Sequence, residues 1–244
     1  MSGIYTGVQK RILAKQPKAM YIHCAAHNLN LVVIDAVCGV KQTSSFFSTL
    51  EELYIFFGHN IRGWNILSSI TGESDVNLKT LNPSRWAGRL ASEMGVKLRY
   101  TDVMKALSQF ILLNANKDKR EEAARLKKSL ERYEFVLLVV IMSRVLSEIN
   151  IASQYVERKD ADLQKAVDHL SSASLNLSNY RSQFAEVKNE ATNVWAKSGM
   201  FWKNLSRKES AKQKDILTNY LKTRYYLTQK IHSASTSLTS QLTQ

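Results

Sequence analysis

Leu163, Leu170, Leu177, Phe184 and Ala191 recur every seven residues, and Ala166, Ala173, Tyr180, Val187 and Val194 recur at the same interval three positions later. Apolar or small residues at both positions over five heptads predict a long helix packed lengthwise on a partner. The same chain offers one: Tyr133 to Ile149, on a helix expected over about 121–157, with a turn at Arg158 to Asp162. An antiparallel hairpin within the chain is favoured over an intermolecular coiled coil. Residues 135–142 are apolar all round and need burial on more than one side.

Upstream, Gly3 to Lys15 reads as a helix with Ile4, Val8, Ile12 and Leu13 on one stripe, stopped by Pro17. Lys18 to His23 has the pattern of a short strand. Ala25 to Val37 is helical again, with a broad apolar face and Gly39 as its stop. A pair of helices is expected at Ser44 to Phe57 and Asn60 to Ile70, then a polar loop from Thr71 to Pro83. Ser84 caps a helix running from Arg85 to about Arg99, and Thr101 opens another to about Ala115. Asn116 to Arg120 reads as a charged turn. Near the end come a basic helix, about Glu209 to His232, and a Ser/Thr/Gln-rich frayed tail from Ser233 to Gln244. Trp64, Trp195 and Trp202 are expected in the core or the seam. The fold expected is mainly α, a multi-helix bundle with long antiparallel helices.

Composition narrows this further. Only 9 Gly and 2 Pro occur in 244 residues, which favours long helices with few tight turns. The longest apolar run, Phe135 to Met142, is eight residues, against roughly 20 for a bilayer span. The N-terminus has no signal-peptide core, and two cysteines are too few for a disulfide framework. The expectation is a soluble intracellular protein with no membrane contact. Net charge is +13, densest over 197–232, where nine Lys/Arg face only Glu209 and Asp215. Such a surface attracts phosphate polyanions through counterion release; a merely solvated helix surface is the alternative.

Candidate chemistry clusters at His23, Cys24 and His27. Cys24-x-x-His27 has the atoms of half a zinc site, but Cys38, His59, His169 and His232 are scattered, so a packing role for Cys24 is favoured over metal. Cys24 as a nucleophile activated by His27 is the weaker reading, because neighbouring residues on a helix diverge in direction. Two-metal chemistry needs converging carboxylates. Of Asp35, Glu51, Glu52, Glu73, Asp75, Glu93 and Asp102, Asp35 lies in an apolar helix and the others read as surface positions. No catalytic residue and no metal site are expected. Arg85 and Trp86 follow a polar loop at a helix start, where Trp86 could stack on an unpaired base with Arg85 on a phosphate. A tryptophan anchoring helix packing is the commoner arrangement.

Taken in order, these segments acquire a family likeness. His23-Cys24-Ala25-Ala26-His27-Asn28-Leu29-Asn30-Leu31 resembles the Cys-x-x-His-x-Leu-Asn-Leu segment of hAT-superfamily DNA transposases. The match is closest to the branch that includes zinc-finger MYM-type protein 1 and the TTF-type zinc-finger, hAT-dimerisation proteins. Met1 to Gln9 is similar to the stretch after that family's second catalytic aspartate, and Ser84-Arg85-Trp86 resembles its Arg-Trp motif. Tyr155 to Phe184 resembles its long insertion helix. The resemblance implies a short remnant of an RNase H-like α/β domain at 1–40, a helical insertion at 41–232 and the frayed tail at 233–244. It also implies that Cys24 and His27 belong to a motif near the active site, and that Trp86 handles a flipped base or hairpin end.

The family's three acids, which hold Mg²⁺ or Mn²⁺, have no counterpart here, so no cofactor is expected. The resulting expectation is a catalytically incomplete, transposase-derived nuclear protein. It would bind DNA through Arg85, Trp86, Lys203, Arg207, Lys208, Lys212 and Lys214, or associate with itself or with transposase-like proteins. A helical protein-interaction domain without a nucleic-acid role and an internal fragment of an active transposase are the alternatives.

Overall fold

A computed structural model describes residues 7–19, 25–72, 86–158, 160, 162–180, 182–197 and 229. Nine helices are described: α1 (Val8–Lys15), α2 (Ala25–Cys38), α3 (Lys41–His59), α4 (Ile61–Thr71), α5 (Trp86–Leu113), α6 (Lys117–Leu130), α7 (Tyr133–Val156), α8 (Leu163–Asn179) and α9 (Phe184–Lys197). No strand occurs among the described residues. Lys18 follows α1 in a turn, and 20–23, the rest of the expected strand, lie outside the described residues, as do 1–6 of the remnant.

The central element is α7. An unbroken run from Phe135 to Ser143 is buried, because an apolar surface on every side of a helix is stable in water only if other helices cover it. Neighbours on all sides do so: α5, α8 and α9 most extensively, with α2, α3 and α6 filling the remainder. By length and composition alone α7 would suffice to cross a membrane, yet here its apolar surface meets protein. Burial stabilises each such Leu, Ile or Val by about 1.5–3 kcal/mol.

The expected hairpin is present within the chain and antiparallel. Tyr133, at the start of α7, meets Trp195 near the end of α9 with ring centroids 5.7 Å apart. Tyr155, at the end of α7, meets His169 on α8 at 4.5 Å. Leu170, Leu177 and Ala191 are buried, as are Ala166, Ala173 and Val187. Tyr180, Phe184 and Val194 are partly buried against the same core.

Both long helices of the sequence reading are nevertheless broken. The 121–157 helix is two, α6 and α7, because Arg132 turns extended (φ −67°, ψ 130°) between them. The break lets the largely polar α6, which buries Ala123, Leu126 and Leu130, pack on α3 and α5 while α7 enters the core. It also frees the carbonyl of Glu131, to which the Trp195 Nε1–H donates at 3.0 Å. The heptad helix likewise divides into α8 and α9. Tyr180 caps α8, the Gln183 amide donates back to the Tyr180 carbonyl at 3.2 Å, and the seam resumes at Phe184. The charged turn at 116–120 is instead the first turn of α6, capped by the Asn116 side chain accepting from the Lys119 amide at 3.1 Å.

Conversely, the two helices expected around 85–115 are one, α5, with a kink where Arg99 adopts φ −111° and ψ 18°. The expected pair before it is present as α3 and α4, with the Asn60 side chain capping α4 at the Gly63 amide. Two apolar expectations fail: the α1 stripe is exposed at Val8 and Ile12, and Trp64 is exposed rather than in the core.

Beyond the kink, α5 is tied to α6 by the buried Tyr100 hydroxyl, which donates to the Leu130 carbonyl at 2.8 Å. Burial raises the phenol's pKa, so it stays a donor. Tyr100→Phe strands that carbonyl and is expected to cost about 1–3 kcal/mol in urea denaturation. A loss below a few tenths would show that another donor takes over.

Candidate functional site

Arg85, Lys203, Arg207, Lys208, Lys212, Lys214 and Cys24 lie outside the described residues. Trp86 is the first residue of α5, its side chain likewise outside them, and His27 is exposed on α2. The described residues therefore do not bring the sequence-predicted site together. Among them, no group of three or more His, Cys, Asp or Glu could hold a metal.

Charge is unevenly divided. The described side chains include 21 Lys/Arg and 17 Asp/Glu, against 34 and 21 in the whole chain. The helical body is close to balanced, with a net charge of +4, while +9 belongs to side chains outside it. Several cations of the body are also paired locally: Lys119 with Glu122 at 2.7 Å, Lys127 with Glu131 at 3.5 Å, and Lys117 with Glu121 at 3.8 Å.

The most perturbed polar cluster joins α5, α7 and α9. Lys97 on α5 lies 2.7 Å from the Glu190 carboxylate on α9 and donates to the Ser143 hydroxyl on α7 at 3.0 Å. Arg144 on α7 donates to the other Glu190 oxygen at 2.9 Å and approaches Glu186 at 3.9 Å. Burial alone would raise the pKa of Glu190, but hydrogen bonds and charge from Lys97 and Arg144 outweigh it and hold the carboxylate below its ordinary range. One turn before Lys97, Glu93 is fully buried, and neither of its carboxyl oxygens has a hydrogen-bond partner. Desolvation raises its pKa well above the usual carboxylate value, against smaller lowering effects of Lys97 and the Ser143 backbone. That backbone approaches without reaching hydrogen-bond geometry.

The surface position expected for Glu93 is thus overturned. The available signal was its phase: Glu93, Val96, Tyr100, Val103, Leu107 and Phe110 alternate at steps of three and four, the spacing of a buried helix stripe.

A Ser–Lys pair at 3.0 Å superficially suits a hydrolase, with lysine as base to a serine nucleophile. The surroundings argue otherwise. Ser143 is buried and its hydroxyl donates to the Val140 carbonyl at 2.9 Å, so its proton is directed away from Lys97. Lys97 is held as an ammonium by Glu190. The cluster is organised to cross-brace three helices.

An open groove of about 310 Å³ lies between the start of α3 and the α6–α7 corner, with Lys41, Arg132 and Glu134 around a floor of Phe46, Phe135 and Leu138. Its charges of both signs give it little preference for an anion. No protein-family model matches the chain. No solved structure matches it either.

Proposed function

We propose that this chain is a transposase-derived, catalytically incomplete helical protein that binds DNA in the nucleus, with no strand-cleaving chemistry of its own. The observation that carries the reading is the order of the hAT-like segments along the sequence: Met1 to Gln9, Cys24-x-x-His27 with Asn28-Leu29-Asn30-Leu31, then Ser84-Arg85-Trp86 and Tyr155 to Phe184. In this reading 1–40 is the remnant of an RNase H-like domain and the helices after it are the insertion. The charge distribution supports the DNA-binding part. A nearly balanced body leaves the phosphates to Arg85, Lys203, Arg207, Lys208, Lys212 and Lys214, with Trp86 stacking on an unpaired base.

The test is salt-dependent binding to hairpin and single-stranded DNA. Log affinity should fall linearly with log salt. Alanine at Lys203, Arg207, Lys208, Lys212 and Lys214 should flatten the slope by about 0.7–0.9 for every phosphate that is no longer neutralised. An unchanged slope removes these residues from the interface. Mg²⁺- or Mn²⁺-dependent nicking above background by the purified chain would instead favour an active transposase fragment.

A second reading, a helical protein-interaction domain without a nucleic-acid role, has its own support. Ile61 and Leu112 are each 82% exposed. They share one end of the bundle, where Phe56 of α3 meets Phe110 of α5 at 5.0 Å. Absence of any DNA binding at low salt would favour it.

A further inference from the structure

The cost of burying Glu93 bears on how α5 is held. An ionised carboxylate without a partner is among the least tolerable groups in a protein interior, and the usual escape is to keep the proton. No neighbour relieves Glu93. On its own helix, Lys97 spends its ammonium on Glu190 and Ser143. On α7, Arg144 turns to Glu190 and Glu186. On α9, those two residues are themselves carboxylates. On α4, the one charged side chain is Arg62, which is exposed. Glu93 is therefore compatible with this packing as the neutral acid.

The backbone shows where the packing can yield. Arg99 interrupts α5 with non-helical angles, six residues after Glu93. On the far side of the kink, Tyr100, Val103, Leu107 and Phe110 are buried, and Tyr100 is bonded to α6. On the near side, the described attachments are Val96 in the core and Lys97 bridging to Ser143 and Glu190. The part of α5 that carries the buried acid is thus the less firmly anchored part, and it ends at a ready-made hinge.

We propose that Glu93 is a proton latch: while its carboxyl is neutral the first half of α5 lies packed on α7, and loss of the proton swings that half out at the Arg99 kink. Opening hydrates the carboxylate and breaks the Lys97 bridge to α7 and α9. It leaves the second half of α5 in place.

The sign follows from linkage. An acid whose pKa is higher folded than unfolded stabilises the packed state fully below the unfolded value, about 4.3 for Glu. That stabilisation is lost as pH rises from there through the folded value. One proton can change the opening equilibrium by at most tenfold per pH unit.

Hydrogen exchange of the intact chain between about pH 5 and about pH 9, corrected for intrinsic rates, reads this directly. In the wild type, protection of the 93–98 amides should fall with rising pH by up to about tenfold per unit, while amides of 103–110 hold theirs. In Glu93→Gln, which keeps the shape and cannot ionise, protection at 93–98 should be independent of pH. Three results overturn the latch: constant protection at 93–98 in the wild type, a pH dependence that persists in Glu93→Gln, or an equal loss at 93–98 and 103–110. Because the wild-type series stands alone, a Glu93→Gln chain that failed to fold would leave the first and third outcomes decisive.

Discussion

Alanine in place of Phe110 is expected to lower the stability of the fold by about 3–5 kcal/mol, the largest loss from a single truncation in this bundle. Phe110 is fully buried on the second half of α5. Its ring stands edge-on to Phe56 of α3 at 5.0 Å and 79°, and Phe56 is in turn edge-on to Phe57 at 5.2 Å. Removing the ring loses its burial and leaves a cavity that two helices fixed on other partners cannot close. The ring pair adds about 0.5–1.5 kcal/mol beyond area. Urea denaturation of Phe110→Ala, Phe56→Ala and the double variant should return a coupling of that size. Additive losses would mean that the two rings do not touch.

The stripe containing Phe110 also shows what a sequence discloses and what it withholds. Steps of three and four from Val96 to Phe110 identify the buried face of α5, as the heptads from Leu163 to Val194 identify that of α8 and α9. Periodicity reports which residues share a face, and it survives a break that preserves phase. That is why the interruption after Tyr180 was illegible: the seam resumes in register at Phe184. The break at Arg132 left a faint trace, the change from charged Lys127 and Lys128 to the apolar run after Phe135. Amphipathicity also cannot say whether anything arrives to cover a stripe, as exposed Val8 and Ile12 demonstrate.

Glu93 was misread for a different reason. A carboxylate is read as exposed because burial is so costly, and only the phase of its neighbours argued the other way. The candidate DNA-binding residues were legible from charge density alone, an average over a segment that carries no geometry. Apart from His27 and the helical backbone of Trp86, they lie outside the described residues.

Leu177→Ala should cost about 2–5 kcal/mol, and the manner of the loss decides between the two partners that a heptad seam can have. Leu177 is fully buried in the last turns of α8. Nearby, the Asn176 side chain donates to Glu148 of α7 at 2.9 Å and the Tyr180 hydroxyl donates to it at 2.8 Å, which fixes α8 against its own chain. If α7 fills the seam, unfolding is unimolecular. The denaturation midpoints of wild type and variant should then be independent of protein concentration, and only the gap between them should report the lost side chain. A seam filled by a second chain behaves differently: the midpoint rises with concentration, and Leu177→Ala weakens association as well as folding. The intramolecular outcome is the expected one, because α7 has no second apolar face left to offer. Its surface is already divided among α5, α8 and α9, with α2, α3 and α6 behind them.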